Sequence, residues 1–409
     1  MAEAERHQGA DSASTAERRL FWRITLPLAL AETIVWAGYY YAFPALLLIW
    51  ERDLGWSKAE LSVAFTLSLV ASAVLAPVAG RLIDRGRATL VFAGSALLGA
   101  GLLLVLSMVT ELWQFYLVWI GLGAAMAGSL YEACFAVVTR ALGPAARKGI
   151  ATIALVAGFA GTVSFPSAHV LSAWLGWRGA VLVFSAVIAL IAVPLILFAC
   201  SAGERHRVAD PPDTNRDLRL ALGVIGDPTF WRLALLFIAI AVNHGVLLTH
   251  LLPLLAERGV AAEAAVLAAA MIGPMQVAGR VAMMTLGRNA SSRAIFIACL
   301  ASTTLAALTL LGAGASPVLL AAFVILQGAG YGVTSVVRPV LTAEQFGRAN
   351  FGTVAGLLAI AFIGGTAVSP TIAALIWTVG GYDPVIVFAF VASALGLFIL
   401  LGTRSRSGG

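Results

Sequence analysis

Long apolar stretches alternate with short polar segments along almost the whole chain. Each stretch has about the 20 residues that a helix needs to cross a bilayer. The pattern therefore predicts an all-α membrane protein with 12 transmembrane helices, called spans 1 to 12 here. They lie at about 24–50, 59–82, 88–109, 112–139, 149–172, 179–200, 230–255, 262–286, 294–313, 317–341, 352–379 and 384–402.

The longest polar connection lies near the middle of the chain. It reads "SAGERHRVADPPDTNRDLRLALGVIGDPT", is rich in charge and contains three prolines. It separates six spans from six, so we expect two six-helix bundles joined by a cytoplasmic linker. The predicted segments are a disordered cytoplasmic tail at 1–20, an N-terminal bundle at 21–200, the linker at 201–229, a C-terminal bundle at 230–403 and a cytoplasmic tail at 404–409.

The two halves show an internal repeat at a spacing of 204 residues, which aligns span 5 with span 11 and span 6 with span 12 without gaps. Chance identity in a sequence rich in Ala, Gly and Val is the alternative, but matched glycines and prolines favour a true repeat. Repeated halves are a common plan of secondary transporters, with the binding site where the halves meet. The matched pairs are Gly161 with Gly365, Thr162 with Thr366, Pro166 with Pro370, Gly176 with Gly380, and Val183-Phe184 with Val387-Phe388.

Composition and charge agree with a membrane location. Hydrophobic residues make up 60% of the chain and charged residues 11%, whereas soluble domains have roughly 45–50% and about 25%. Twenty of the 26 Lys and Arg residues fall in segments on one side of the predicted membrane and four on the other. Since Lys and Arg favour the cytoplasmic side, both termini are predicted to be cytoplasmic, in a bacterial inner membrane. This bias explains the net charge of +6 better than nucleic-acid binding does.

Motifs of enzymes and metal proteins are not recognisable in the sequence. Three scattered cysteines make neither a disulfide framework nor a metal motif, and His244 and His250 are six residues apart, so they do not share a helix face. The sequence lacks the phosphate-binding lysine motif of ATP-driven transporters, so it does not indicate transport driven by ATP. We therefore expect no cofactor, no bound metal and no enzymatic activity.

Three ionisable residues within the spans are candidates for function, because charges in hydrocarbon are costly and are usually retained for a task. Arg280 in span 8 offers a guanidinium fork suited to a carboxylate; a snorkelling arginine at the helix end is the alternative. Glu32 in span 1 and Glu132 in span 4 favour their protonated forms when desolvated and are candidates for proton coupling. The alternative for each is a structural carboxylate bonded to a neighbouring helix.

Aromatic and polar residues near these charges extend the candidate site. Helical spacing puts Trp36, Tyr39 or Tyr40, and Phe43 on the same face as the span 1 glutamate. Further candidates for substrate contact are Gln276, one turn from the span 8 arginine, His250, which could bond substrate or act as a gate, and Tyr331, with Gln327 as a weaker candidate. Arg338 is expected to pair with a loop carboxylate such as Glu344.

The loop after span 2 reads "GRLIDRGR", from Gly80 to Arg87. It resembles the signature of the major facilitator superfamily, although the residue that usually separates Arg85 from Gly86 is missing here. The resemblance covers nearly the whole chain and implies the twelve-helix transporter fold. It also implies a gating loop, in which Asp84 faces the N-terminus of a neighbouring helix and the arginines pair with carboxylates across the two halves. The alternative is a solvated loop that only satisfies the positive-inside rule. The candidate gating residues are Gly80, Asp84, Arg85 and Arg87.

Three local matches make the chain most similar to the monocarboxylate transporters and their bacterial relatives. They are "YAFP" from Tyr41 to Pro44, "GWSKAELS" from Gly55 to Ser62, and "IGPMQVAGR" from Ile272 to Arg280. The resemblance implies that the arginine anchors the substrate. Two departures stand out: Ala45 replaces a lysine of the animal members, and Gln276 replaces an aspartate. Both residues are tied to proton coupling in the family, so the resemblance does not imply the same proton-coupling residues in this protein.

These observations favour a secondary transporter that moves a small organic anion similar to a monocarboxylate, coupled to protons, as a monomer in the bilayer. A proton-driven exporter of drugs or other toxic compounds is the alternative, because buried glutamates and an aromatic face fit it as well. A membrane sensor or an integral membrane enzyme is a third class. The sequence contains neither a large soluble output domain nor a reactive triad to support it.

Overall fold

The computed structural model describes residues 2–204, 223–287, 289–346 and 351–402, except for the side chains of 2–16, 84, 132, 204 and 351–353. The described residues are almost entirely helical and contain no strand. Ten stretches are long and apolar enough to cross a membrane, and one of them, Leu112–Gly203, contains three successive spans. The predicted all-helical architecture of twelve spans is confirmed.

The helices follow the predicted spans closely. Span 1 consists of Ala2–Trp36, Ala37–Tyr41 and Ala42–Leu54, span 2 of Lys58–Leu82, span 3 of Ala88–Leu106, span 4 of Leu112–Ser129 and Tyr131–Leu142, spans 5 and 6 together of Ala146–Ala157, Ala160–Val187, Ile188–Ala192 and Val193–Glu204, span 7 of Pro228–Thr249 and Leu251–Glu257, span 8 of Ala262–Thr285, span 9 of Ser292–Thr309, span 10 of Pro317–Phe346, span 11 of Phe351–Gly380, and span 12 of Tyr382–Gly402.

The helix of span 1 begins at Ala2 and so includes the segment for which the sequence predicts a disordered tail. Ala, Glu and Arg, which recur in this segment, are strong helix formers. Most of the central linker, 205–222, and the C-terminal tail lie outside the described residues. The boundaries of the two bundles remain predictions that agree with the helix bounds.

Glycines with positive φ turn the chain between spans in both halves. Gly176 has a φ of 70° and separates span 5 from span 6. Gly381 has a φ of 71° and separates span 11 from span 12. This left-handed conformation favours glycine because it has no Cβ.

Glycines also allow the closest helix contacts within each half. A Cβ at Gly123 of span 4 would overlap the backbone of span 2 at Ser68. In the second half, a Cβ at Gly332 of span 10 would overlap the backbone of Gln276 in span 8. Small residues permit such close backbone approach in membranes, where the hydrophobic effect does not drive helices together. The span 2–4 and span 8–10 pairs therefore repeat the same packing.

The two halves meet along two seams, where span 2 packs against span 11 and span 5 packs against span 8. Lys58 begins span 2 and Ala262 begins span 8, 204 residues later, which extends the sequence repeat to this pair. We call the end of the molecule that carries the loops at 55–57, 107–111 and 258–261 the outer end. The opposite end, with 83–87 and 143–145, is the inner end.

Candidate substrate chamber

Span 1 changes from α-helix to π-helix at Ala37–Tyr41. A π-helical turn contains an extra residue, so the side chains that follow shift around the axis. Tyr39 consequently faces span 3, where its hydroxyl donates to the Ala96 carbonyl at 2.6 Å. Tyr40 and Tyr41 face the space between the two halves instead. Of the two tyrosines that the helical spacing left open, Tyr40 is therefore the one beside the chamber, and Tyr41 was missed because a regular α-helix would turn it away.

Rings from spans 1 and 4 line the N-terminal side of this space. Trp36 lies 5.2 Å from Tyr40 and 4.8 Å from Tyr131, measured between ring centroids. Tyr131 in turn stacks on Phe135 at 5.0 Å. Tyr131 begins a new helix because the backbone at Leu130 is extended, with ψ at −167°. This break in span 4 turns the aromatic side chains toward the chamber.

Glu32 lies one turn from Trp36 and is almost fully buried, with 1% of its surface exposed. Its carboxylate interacts electrostatically with the Cys134 thiol and with Tyr131. Both neighbours belong to span 4, so the carboxylate links two helices of the N-terminal half. The second candidate for proton coupling, Glu132, follows Tyr131 in the chain, but its side chain lies outside the described part of the structure.

Arg280 of span 8 faces the same space from the C-terminal half and is half-buried. Its Nε donates to the Gly332 carbonyl of span 10 at 2.9 Å, which fixes the guanidinium plane. Its Nη1 makes a long contact of 3.5 Å with the Ala154 carbonyl of span 5, across the seam. It forms no ion pair with any carboxylate among the described side chains.

Phenol groups surround this guanidinium. Tyr41, Tyr131 and Tyr331 all lie within electrostatic range of Arg280. Two of these tyrosines belong to the N-terminal half and one to the C-terminal half. Gln276, one turn away on span 8, is 6% exposed and packs against span 10. Tyr331 is within electrostatic range of Tyr40 and of Arg280. Tyr131 is within range of Arg280 and of Glu32, so these residues form one group between the two halves.

The C-terminal wall of the chamber is a stack of two rings. His244 of span 7 and Tyr331 of span 10 lie with their centroids 3.3 Å apart and their planes within 8°. Behind the stack, Gln327 donates to Asn243 at 3.1 Å. Of these four residues, only Tyr331 and Gln327 were predicted to contact substrate, because the contacts of Asn243 and His244 depend on how spans 7 and 10 rotate.

The prediction that Arg338 pairs with Glu344 is wrong. The guanidinium of Arg338 lies 3.6 Å from the ring centroid of Phe362 and 5.6 Å from that of Phe237. Glu344 instead accepts a hydrogen bond from Ser292 at 2.7 Å. A guanidinium stacks well on aromatic faces, and these two rings come from spans 11 and 7, which sequence spacing could not bring together.

His250 does not join the Arg280 cluster but lies at the outer end. It is fully buried, with Nδ1 3.0 Å from the Tyr382 hydroxyl and Nε2 2.9 Å from the Pro370 carbonyl. Its Nε2 also lies 3.5 Å from the hydroxyl of Ser62 in the opposite half. These contacts fit the gating alternative for His250 better than direct substrate contact.

The seams are closed at the outer end by threonine hydroxyls. Thr66 donates to the Ala367 carbonyl of span 11 at 2.7 Å. Thr162 donates to the Ala270 carbonyl of span 8, also at 2.7 Å. Both bonds join the two halves nearer the outer end than Arg280 lies, since Ala270 precedes Arg280 on span 8 by almost three helical turns.

The candidate gating loop is a tight turn at Ile83–Arg87, between the helices of spans 2 and 3. Gly86 has a φ of 86°, so the turn requires glycine at the point where this chain is one residue shorter than the superfamily signature. Gly80 is half-buried, and Arg85 and Arg87 are exposed at the inner end. Arg140 of span 4 donates to the Ile83 carbonyl and braces the turn. The side chain of Asp84 lies outside the described part.

Two six-helix bundles around a central chamber, closed at one end, define a multi-pass membrane carrier. The family model described as the Major Facilitator Superfamily matches residues 28–301. The chain therefore belongs to the major facilitator superfamily, whose members are transporters. This confirms the family suggested by the signature loop, while the finer likeness to monocarboxylate transporters remains a proposal.

Solved structures show the same fold at low sequence identity. A bacterial homolog of the human lysosomal transporter Spinster, in an inward-facing and unoccupied conformation, is 16% identical with a TM-score of 0.70. The alignment covers 93% of this chain and 95% of that one. The nucleoside transporter NupG is 14% identical with a TM-score of 0.72, covering 93% of this chain and 99% of that one. No curated protein matches the sequence.

Proposed function

We propose that this transporter moves a small organic anion similar to a monocarboxylate by alternating access, coupled to protons. The observation that carries the proposal is the environment of Arg280. Its guanidinium is half-buried, oriented by the Gly332 carbonyl, and without a carboxylate partner among the described side chains. A charge held away from water needs a counter-ion, and a carboxylate matches the guanidinium fork.

The tyrosines near Arg280 connect the binding of the anion to alternating access. An anion on Arg280 can accept hydrogen bonds from Tyr41 and Tyr131 of the opposite half, because both lie within electrostatic range of the guanidinium. Such an anion joins the two halves at the level of the chamber. A ligand shifts a conformational equilibrium only through contacts that differ between the states, and contacts across the halves have this property.

Proton coupling is assigned to Glu32, with Glu132 as the second candidate. Glu32 is buried beside Tyr131, which is also a neighbour of Arg280. An ionised carboxylate in a closing, low-dielectric chamber raises the free energy of closure. Protonation of Glu32 removes this cost, and the substrate neutralises Arg280, so the loaded and protonated carrier closes most readily.

The membrane arrangement follows from the charge bias. We place the inner end and both termini in the cytoplasm of a bacterial cell, because the arginine-rich segments lie at this end. The carrier acts as a monomer, since each chain contains both halves of its chamber. The residues from Gly80 to Arg87 act as the inner gating loop, whose exposed arginines can contact the opposite half when that end closes.

Uptake into proteoliposomes tests the proposal directly. Labelled lactate or pyruvate is offered with and without an inward proton gradient. We expect gradient-driven uptake that Arg280→Gln abolishes and Arg280→Lys partly retains, because lysine keeps the charge but loses the planar fork. Arg258→Gln is the matched control, since Arg258 lies at the outer end. Unchanged uptake by Arg280→Gln would refute the anion anchor.

The role of Glu32 is tested in the same vesicles. We expect Glu32→Gln to remove the response to the proton gradient while exchange of substrate between the two sides continues. Full proton-driven uptake by this variant would remove Glu32 from the mechanism and leave Glu132→Gln as the next variant to measure.

The aromatic lining favours a second candidate function, proton-driven export of drugs or other toxic compounds. A continuous set of aromatic rings suits a flat apolar compound. It consists of Trp36, Tyr40, Tyr41, Tyr131 and Phe135. This candidate predicts no lactate or pyruvate uptake, together with increased resistance of cells that express the protein.

A further inference from the structure

A chain of amide hydrogen bonds lies behind the ring stack of the C-terminal half, and its polarity is fixed. Asn243 Nδ2 donates to the Ala389 carbonyl of span 12 at 3.0 Å. Since a backbone carbonyl only accepts, the amide of Asn243 has one possible orientation, with Oδ1 turned to span 10. There it accepts a hydrogen bond from Nε2 of Gln327 at 3.1 Å.

These two hydrogen bonds leave the side-chain carbonyl oxygen of Gln327 as a free acceptor. Gln327 is 1% exposed, and its Oε1 is buried without a hydrogen-bond partner. The side chain cannot rotate by half a turn, because Oε1 would then oppose Oδ1 of Asn243. Nearly all buried polar atoms in proteins have a partner, so an exception calls for an explanation such as a ligand.

A second unpartnered atom lies on the neighbouring residue of span 7. His244 is 4% exposed, and its Nδ1 is buried without a partner. The face of its ring is covered by Tyr331 at 3.3 Å. Polar contact is therefore restricted to the edge of the imidazole, where Nδ1 lies.

Both atoms are connected to the proposed anion site through Tyr331. Tyr331 is the direct neighbour of His244 and is within electrostatic range of Arg280. Gln327 precedes Tyr331 by one helical turn on span 10, toward the outer end. A molecule that starts at Arg280 and extends along span 10 reaches these side chains next.

We propose that Gln327 and His244, with Asn243 and Tyr331 as their supports, form a second subsite that receives a hydrogen-bond donor of the substrate. The proposal rests on the proposed anion function and narrows it. The substrate is an organic acid that carries a hydroxyl group besides its carboxylate. The carboxylate binds Arg280, and the hydroxyl donates to the carbonyl oxygen of Gln327 and contacts Nδ1 of His244.

The subsite discriminates because Oε1 of Gln327 can only accept. An unsubstituted acid of the same length would place a methylene group against it and leave it unpaired. A site built to bond a substrate hydroxyl rejects the analogue that lacks one, because its own polar groups then lose their partner. A buried acceptor that is left unpaired corresponds to about a tenfold difference in affinity.

The test measures dissociation constants of butyrate and of 2-, 3- and 4-hydroxybutyrate for the purified full-length protein. The three isomers vary the distance from the carboxylate to the hydroxyl. Gln327→Met removes the acceptor at similar volume, although it also removes the donor to Asn243. His244→Phe keeps a ring against Tyr331 and leaves the amide chain intact, so it serves if the first variant does not fold. His169→Phe, at the outer end of span 5, is the matched control.

We expect at least one hydroxybutyrate to bind about tenfold more tightly than butyrate. In Gln327→Met this preference falls to about onefold, in His244→Phe, which keeps the acceptor of Gln327, it falls in part, and His169→Phe keeps it. If all four acids bind equally and Arg280→Gln abolishes their binding, the subsite is refuted and the anion function stands. A water molecule would then be the partner of Oε1. Binding of none of them, or binding that persists in Arg280→Gln, overturns the anion function itself.

Discussion

Replacement of two threonines by valine tests how the outer end is held closed. Thr66 and Thr162 each donate a hydrogen bond of 2.7 Å across one of the two seams. The internal repeat relates the two bonds: 204 residues separate Thr66 from Ala270, the acceptor of the other bond. Valine has the same branched shape as threonine but lacks the hydroxyl, so the substitutions remove the bonds with little change in packing.

The expected magnitude follows from the hydrogen bonds that are lost. The hydroxyl of Thr66 has one hydrogen, which it donates to Ala367, so it also accepts from Thr371 at 2.8 Å. A net value of about 1 kcal/mol for each seam is conservative. Since the seams are separate, the effects should add to about 2 kcal/mol, or roughly 30-fold in the ratio of outer-open to outer-closed molecules.

Thiol labelling measures this ratio. Ser62 is fully buried in the outer contact beside His250, so a cysteine at this position reacts only when the outer end opens. The three native cysteines, all buried, are replaced by alanine in the background. The reaction rate with a membrane-impermeant maleimide is then proportional to the outer-open population. We expect an increase of about fivefold for each single variant and roughly 30-fold for the pair.

A threonine outside the seams provides the control. Thr304 donates to the Leu300 carbonyl of its own helix at 2.7 Å, so Thr304→Val removes a similar hydrogen bond without a contact between the halves. Its labelling rate should equal that of the parent. If the Thr66→Val and Thr162→Val pair labels no faster than the parent, or if the control accelerates equally, the hydroxyl bonds do not hold the outer end closed.

Four further substitutions test the packing and the surface. Gly123→Val should lower the melting temperature strongly, because its side chain would overlap the backbone of span 2, whereas Gly101→Val should be nearly neutral because the space around it is open. Tyr39→Phe should cost about 1 kcal/mol of stability through the lost bond to Ala96 and leave ligand affinity unchanged, since this tyrosine faces away from the chamber. Asp383→Asn should change the melting temperature little, because the carboxylate is 69% exposed in its ion pair.

The fold was largely predictable because a bilayer imposes strong constraints on sequence. Span lengths, the central linker and the repeat all follow from apolar runs and matched glycines. The breaks within spans were not predicted. Leu130 is extended between two helices of span 4, and no proline or glycine at that position indicates it. The π-helical turn at Ala37–Tyr41 has no sequence signal either.

The candidate site was predictable in its charges but not in its neutral groups. Glu32 and Arg280 stand out because ionised side chains are rare within spans, and the structure brings both beside Tyr131. Tyr41 was missed because the π-helical turn changes the face on which it lies. The importance of Gln327 depends on the fixed orientation of the amide of Asn243, which requires a third helix. Amides and aromatic rings occur at too many positions to be selected without such contacts.

The chemistry of the outer seams sets the energy that a substrate must supply. The bonds of Thr66 and Thr162 across the seams are neutral, and the cation of Lys58 contacts the opposite half only through the ring of Trp377, at 4.0 Å. The three ion pairs near this end among the described side chains each lie within one half; they join Arg52 to Asp53, Lys58 to Glu51 and Arg258 to Asp383. Neutral hydrogen bonds contribute about 1 kcal/mol each, so the closed end is held by a few kcal/mol. A ligand that binds the outer-closed and outer-open states with affinities differing by about a hundredfold to a thousandfold can shift a balance of this size. Several buried ion pairs across the seams would be expensive to separate, and ordinary substrate affinities would then be too weak to drive the carrier between its states.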